Sequence, residues 1–238
     1  MTIGPSVAYR LRMELLSVNI GHPRDNPWDD ALSKTGIDKR AVSGRVAVAA
    51  PGPIGTGAVG LAGDRVFDVE FHGGDDQALY AYAKEDYDYW ASRVEIPLHP
   101  GIFGENLTTG GLPVSNARIG DRWRIGCDVI VEVSTPRIPC GTFRGWMDIK
   151  GWLRTFTLAQ RPGTYLRVIS PGTIGAGDPV AIELRRDHEV TVALAFAALT
   201  TDRPLLPRLL AAREWLPQNV IEKAESYVAD NPVSADVE

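Results

Sequence analysis

Cysteine is scarce in this chain, with two residues among 238. Two thiols cannot make a disulfide framework at this size, so whatever they contribute comes from thiol chemistry. Excess positive charge is also missing. With 25 Lys and Arg against 30 Asp and Glu, the formal net charge is -5, and such a field repels phosphate backbones, which argues against a nucleic-acid polymer as partner. No stretch approaches the roughly 18 consecutive apolar residues of a membrane span. The first twelve residues, MTIGPSVAYRLR, carry neither an apolar core nor a small-residue cleavage site, so a cytoplasmic protein with no membrane partner is expected. Serine-elbow, HExxH, EF-hand and kinase signatures are absent, as is any flavin or iron–sulfur ligand pattern. The glycine-rich APGPIGTGAVGLAG is no nucleotide fingerprint, because no helix-forming run follows it and no Gly-Lys-Ser/Thr ends it; a flexible loop is expected.

What is present is a chain that is 44% hydrophobic, ample for a globular core. Its length suggests one domain with an appendage, or two small ones. Glycine (24) and proline (17) are abundant, which favours short strands and loops over a helical bundle. From about residue 13 to 185 the signal is short β-branched runs cut by Gly and Pro, as in GRVAVAAPGP, DRWRIGCDVIVEVSTPR and TYLRVISPGTIGAGDPVAIEL. Val129, Val131 and Val133 alternate with Ile130, Glu132 and Ser134, the period of a strand. A mainly β fold with helices, a mostly antiparallel sheet or barrel, is expected.

One helix is predicted within DDQALYAYAKEDYDYWASRV, where Leu79, Tyr82, Ala83, Tyr87, Trp90 and Val94 recur at three- and four-residue spacing, with Asp75 and Asp76 at its N-terminus. That places HGG at a helix mouth. A second helix is expected around MDIKGWLRTFTLAQR, interrupted by Gly151. After residue 186 the strand signal stops, and VTVALAFAALT, PLLPRLLAAREW and PQNVIEKAESYVAD read as three short helices. The expected division is an extension over 1–12, a β domain over 13–185 and a three-helix domain over 186–238.

Three segments concentrate chemistry. In STPRIPC, Pro136 and Pro139 stiffen the backbone around Arg137 and so present the Cys140 thiol beside a guanidinium, which favours thiolate. A lone cysteine is more often a small buried hydrophobe. GDRVFDVEFHGGDDQA gathers Asp64, Arg65, Asp68, His72, Asp75 and Asp76 around Gly73 and Gly74, where a ligand can approach the backbone; polar glycine loops are also common without a function. GIFGENLTT sets Glu105 and Asn106 after Gly104, a pair that orients a ligand or caps a turn. Cys127, in RIGCDV, has no polar neighbour in sequence and reads as incidental. No His or Cys stands at metal-ligand spacing beside either cysteine, so a zinc site is unsupported.

Taken together and in order, GLAGD, HGGDDQALYAY, FGENLTT, IGDRWRIG, TPRIPC and GTYLRVISPGTIGAGD resemble the successive blocks of a MOSC domain, the type found at the C-terminus of molybdenum cofactor sulfurase, and within it the YiiM-like branch, which carries a small three-helix domain after the MOSC domain. The resemblance implies a MOSC-type β-barrel whose pocket holds the molybdenum cofactor, with Cys140 as ligand to the metal. It implies reduction of a small N-hydroxylated substrate such as a hydroxylaminopurine, amidoxime or hydroxylamine, with electrons from a separate flavin or haem reductase. Cys140, His72 and Asp68 are then the expected catalytic residues, and Arg65, His72, Gly73, Gly74, Asp76, Gln77, Glu105, Asn106, Arg137 and Pro139 the expected cofactor contacts. A carrier that holds sulfur as a Cys140 persulfide, or holds the cofactor without turnover, is the alternative. A tail acting chiefly as an interaction module is a third. Two positions depart from the family: Gln77 stands where Lys is common, and Gly141 where an aromatic is common.

Overall fold

The structure, a computed structural model, describes residues 12–232. The expected extension therefore lies, but for its last residue, outside the described residues. Ten strands and six helices follow in chain order: β1 (Glu14–Asp25), β2 (Lys34–Ala41), β3 (Val46–Val48), β4 (Leu79–Ala83), α1 (Lys84–Ala91), β5 (Leu107–Gly110), β6 (Arg122–Ile125), β7 (Val129–Pro136), α2 (Gly141–Met147), α3 (Trp152–Ala159), β8 (Thr164–Ser170), β9 (Gly172–Ile174), β10 (Val180–Leu184), α4 (Val192–Thr200), α5 (Leu206–Leu209) and α6 (Gln218–Asp230). Eight strands form one sheet in the order β10-β6-β7-β8-β4-β5-β1-β2, and β3 pairs with β9 in a separate ribbon. All pairs are antiparallel except β4 with β5, where Ala81 stands opposite Leu107.

The expected barrel is realised as a curled sheet without a closing ladder. Its far strand, β10, swings round to β1, and the two meet at a single bridge between Glu14 and Pro179. Backbone hydrogen bonds from Leu15 N–H to the Asp178 carbonyl (2.9 Å) and from Val180 N–H to the Met13 carbonyl (2.9 Å) support it.

The helix predicted across LYAYA is a strand. All five residues of β4 are buried, between β8 on one side and β5 on the other. Leu79, Ala81 and Ala83 face the aliphatic core, while Tyr80 and Tyr82 face an aromatic one. Both faces being apolar, the polar alternation that marks a half-exposed strand is absent, and the aromatic spacing mimics a helix. The helix begins only at Lys84. HGG accordingly precedes a short 3-10 turn, Asp75–Gln77, and there is no helix mouth. The second predicted helix is α3, which starts after Gly151 in a left-handed conformation (φ 74°).

The aromatic core fixes the three helices that lie on one face of the sheet. Phe103 stacks on Tyr82 with centroids 4.5 Å apart, Trp90 of α1 meets Trp152 of α3 at 4.8 Å, and Phe143 of α2 meets Phe156 of α3 at 5.1 Å. Each such pair adds about 0.5–1.5 kcal/mol beyond burial alone. The start of α2, with Cys140 at its cap position, is held against the sheet by this cluster. The tail forms the expected helical segments, the middle one broken into α5 flanked by 3-10 turns. Thr191 caps α4 by accepting from Leu194 N–H at 3.1 Å. Val192, Leu209, Ile221 and Ala224 join the same aliphatic core as the sheet. Among the described residues no helix is long and apolar enough to cross a membrane.

Candidate functional site

β7 ends at Pro136, α2 begins at Gly141, and the intervening Arg137 to Cys140 form one wall of an open cleft of about 1060 Å³, counted out to its mouth. The turn over Asp68 to Gly73 supplies the facing wall, together with residues of β2 and the β1–β2 connection. The two segments that the sequence singled out thus meet.

His72 is set by Asp68, whose carboxylate stands 3.0 Å from Nδ1. Asp68 also organises the turn, accepting Phe71 N–H on Oδ1 (3.3 Å) and His72 N–H on its carbonyl. Nδ1 is thus committed to Asp68, and His72 and Cys140 act on each other's ionisation. Burial pushes the Cys140 thiol up, but the His72 hydrogen bond, the Arg137 charge and the Phe143 amide outweigh it and bring the thiol down to about 7. For His72, burial disfavours the charged ring, yet Cys140 and Asp68 together raise it above the ordinary value. Both shifts favour a thiolate beside an imidazolium.

Arg137 is buried, with its guanidinium carbon 3.6 Å from the Phe143 ring centroid and 5.8 Å from that of Tyr80. It forms no ion pair among the described residues, and its Nη1 is buried without a hydrogen-bond partner. A buried cation with an unused donor costs several kcal/mol unless a ligand satisfies it. Tyr165 closes the same corner, held up at about 12 by burial although Arg137 pulls it down.

A second cation was missed in the sequence. Lys39 of β2 is buried, and its ammonium sits 2.7 Å from both oxygens of Asp64. Asp64 also accepts Gly21 N–H (2.8 Å) and Asn106 Nδ2 (2.8 Å). Burial raises the Asp64 carboxyl, but Lys39, Asn106 and Gly21 overcome this and hold it below the ordinary value. Only strand register brings residues 39, 64 and 106 together, so no local pattern announces the group. Tyr80, Tyr165 and Asn26, which also line the cleft, escaped for the same reason.

Of the residues predicted for the site, Arg65, Asp68, His72, Gly73, Gln77, Asn106, Arg137 and Cys140 line the cleft. Gly74, Asp76, Glu105 and Pro139 do not line it. At Gly74 (φ 72°) a Cβ would lie 2.7 Å from the Ile54 amide nitrogen, so the glycine serves the packing of the glycine-rich loop. The same loop is tied by Gly52 N–H to Asp75 at 2.9 Å. Asp76 is engaged by Arg167 at 2.6 Å. Glu105 is fully buried, accepts Gly101 N–H and Thr108 Oγ1 at 2.8 Å, and takes the Tyr87 hydroxyl; it shapes the turn that presents Asn106. Cys127 is exposed in the β6–β7 turn.

Among the described residues, no three His, Cys, Asp or Glu side chains are grouped to hold a metal ion. A donor set of one activated thiolate, a guanidinium with an unused buried N–H and Arg65 therefore fits a group that brings most of its own metal ligands and an anionic moiety.

A family model for the MOSC domain matches residues 68–181. YflK of Bacillus subtilis (strain 168), an uncharacterized protein, is 31% identical over 184 residues, 77% of this chain and 79% of its own length. A reductase of Gibberella moniliformis is 32% identical over 195 residues, covering 76% of this chain but 33% of that larger protein. The crystal structure of YiiM from Geobacillus stearothermophilus shares the fold at a TM-score of 0.72 and 26% identity, covering 91% of this chain and 99% of that one. With its PRIPC and HGG segments converging on one cleft, this chain belongs to the MOSC domain family.

Proposed function

We propose that the protein is a molybdenum-cofactor-dependent reductase of small N-hydroxylated compounds, with the cofactor held through Cys140. The observation that carries this reading is the pairing, in one cleft, of a Cys140 thiol lowered to about 7 with the buried, unpartnered Nη1 of Arg137. The first suits a soft metal; the second suits an anionic oxygen of the cofactor. Arg65, at the cleft and without a carboxylate partner among the described residues, would be a further donor for the anionic moiety of the cofactor.

When bound, the molybdenum cofactor supplies two-electron chemistry and a place for the departing oxygen. The net reaction is R–NH–OH plus two electrons and two protons giving R–NH2 and water. His72 holds one of those protons, while Asp68 at Nδ1 orients the ring and stabilises its charged form. Tyr80, Tyr165 and Phe103 exclude water from the floor. Electrons come from a separate flavin or haem reductase. The reductase that matches over three quarters of this chain supports an oxidoreductase of this kind.

Protein purified from a cofactor-producing host is expected to carry near-stoichiometric molybdenum and pterin, and Cys140→Ser to lose the metal. Absence of both from the unmodified protein overturns the reading. So does a metal-loaded protein that, with a competent reductase, leaves hydroxylaminopurine unreduced while mass spectrometry finds added sulfur on Cys140, the signature of a carrier.

A further inference from the structure

Asn26 lies where β1 passes into the β1–β2 connection and lines the same cleft as Cys140. The residue is held from two directions. The backbone N–H donates to the Ser33 carbonyl at 3.1 Å, closing the 26–33 turn, and Nδ2 donates to Thr142 Oγ1 at 3.3 Å. Thr142 stands two residues after Cys140, on the first turn of α2. The residue is only 6% exposed, yet its Oδ1 is buried without a hydrogen-bond partner. Leaving a buried carboxamide oxygen unsatisfied is costly, and such groups in a formed cleft mark where a ligand makes its bond.

The neighbourhood defines what that ligand must offer. The oxygen accepts and cannot donate, so its partner carries an N–H or O–H. Arg137 Nη1, the other orphan of the cleft, has the opposite sense and requires an acceptor. One cleft thus presents an unused donor, which the anionic oxygen of the cofactor takes, and an unused acceptor, which a second ligand meets with an N–H.

We infer that Asn26, positioned by Thr142, is a specificity-determining residue that binds an N–H of the substrate, so that the preferred substrates carry an amino N–H on the carbon that bears the N–OH group. This rests on the reductase reading above. Amidoximes have that arrangement, and N-hydroxylated aminopurines offer the equivalent ring N–H in their oxime tautomer; ketoximes have neither. Neither Asn26 nor Thr142 is part of the expected cofactor cradle.

The test uses benzamidoxime and acetophenone oxime, which differ by an amino group in place of a methyl group. Dissociation constants are measured by calorimetry on the protein as purified, without reductant. A neutral hydrogen bond of about 1 kcal/mol predicts a preference of roughly five- to tenfold for benzamidoxime. Asn26→Leu is expected to abolish the preference by weakening benzamidoxime alone, and Asn26→Asp, which keeps the acceptor, to retain it. Thr142→Val, which frees the Asn26 side chain, is expected to reduce it. An unchanged ratio in a folded Asn26→Leu protein, or loss of the ratio in Asn26→Asp, overturns the inference. Failure of the reductase reading is seen separately, as the lack of molybdenum and of benzamidoxime reduction in unmodified protein, while the binding ratio still decides the role of Asn26.

Discussion

Cys140 is governed by three neighbours whose effects oppose burial. A thiol at about 7 is about half ionised at neutral pH, against a few per cent for an ordinary thiol near 8.5. In protein freed of cofactor, iodoacetamide alkylation of Cys140 is expected to follow a titration with its midpoint near pH 7, because only the thiolate reacts. Removing the Arg137 charge takes away one of the stabilising influences, so Arg137→Met moves that midpoint up toward the ordinary value. Asp68→Asn leaves the ring in place and moves it less, since Asp68 acts on the thiol only through His72. A midpoint unchanged in Arg137→Met contradicts the assignment. The linkage has a definite sign as well. Because the folded thiol ionises below the unfolded one, its contribution to stability is present above the unfolded value and is lost as the pH falls through about 7.

The elements divide into those legible from pattern and those that only packing decides. β7, the loop after it and the two chemical segments were legible, because β-branched alternation and the Pro-flanked Arg137 and Cys140 are local signals. The tail helices were legible for the same reason. β4 was not, since a strand buried on both faces carries no polar alternation and Leu79, Tyr82, Ala83, Tyr87 and Trp90 fall at helical spacing. Lys39 and Asn26 were not either, because they reach the cleft only through strand register and the fold of the β1–β2 connection. That connection is clamped onto α2 at a point no local motif marks. A Cβ at Gly145 would lie 2.1 Å from Trp28 Cγ, and Arg24 covers Trp146 at 4.9 Å beside it. Gly145→Ala is therefore expected to lift residues 26–33 from α2 and destabilise the protein by about 1–3 kcal/mol in denaturant unfolding, with a change in tryptophan emission. Gly141→Ala, in the same helix but facing open space, is the matched control and is expected to be within about 0.5 kcal/mol of the parent.

At the scale of the whole molecule, the tail and the cleft are joined through one side chain. Arg167 of β8 donates from Nη1 to the Trp215 carbonyl at 2.7 Å and from Nε to Asp76 at 2.6 Å. Trp215 belongs to the tail, where His188 stacks on it at 5.3 Å and Arg186 covers it at 4.4 Å; Asp76 belongs to the HGGDDQ segment whose glycine and glutamine line the cleft. Behind them the buried Glu132 accepts Arg122 at 2.9 Å, with Arg167 and Arg186 each at 3.4 Å. The network is redundant at Glu132 but not at Asp76, which has Arg167 as its ion-pair partner. Replacing Arg167 by Met thus leaves Glu132 paired while releasing both Asp76 and Trp215. A hydrogen bond to a charged group contributes about 1.5–3 kcal/mol, and Asp76 is partly solvated, so the expected loss is about 2 kcal/mol of global stability. The more telling effect is on ligand retention: the freed HGGDDQ segment is expected to lower the molybdenum and pterin kept after dialysis, whereas Arg213→Met, which breaks the exposed Arg213–Glu225 pair of the tail, leaves both quantities unchanged. Equal retention in Arg167→Met and Arg213→Met would show that the tail stabilises the fold without reaching the cleft.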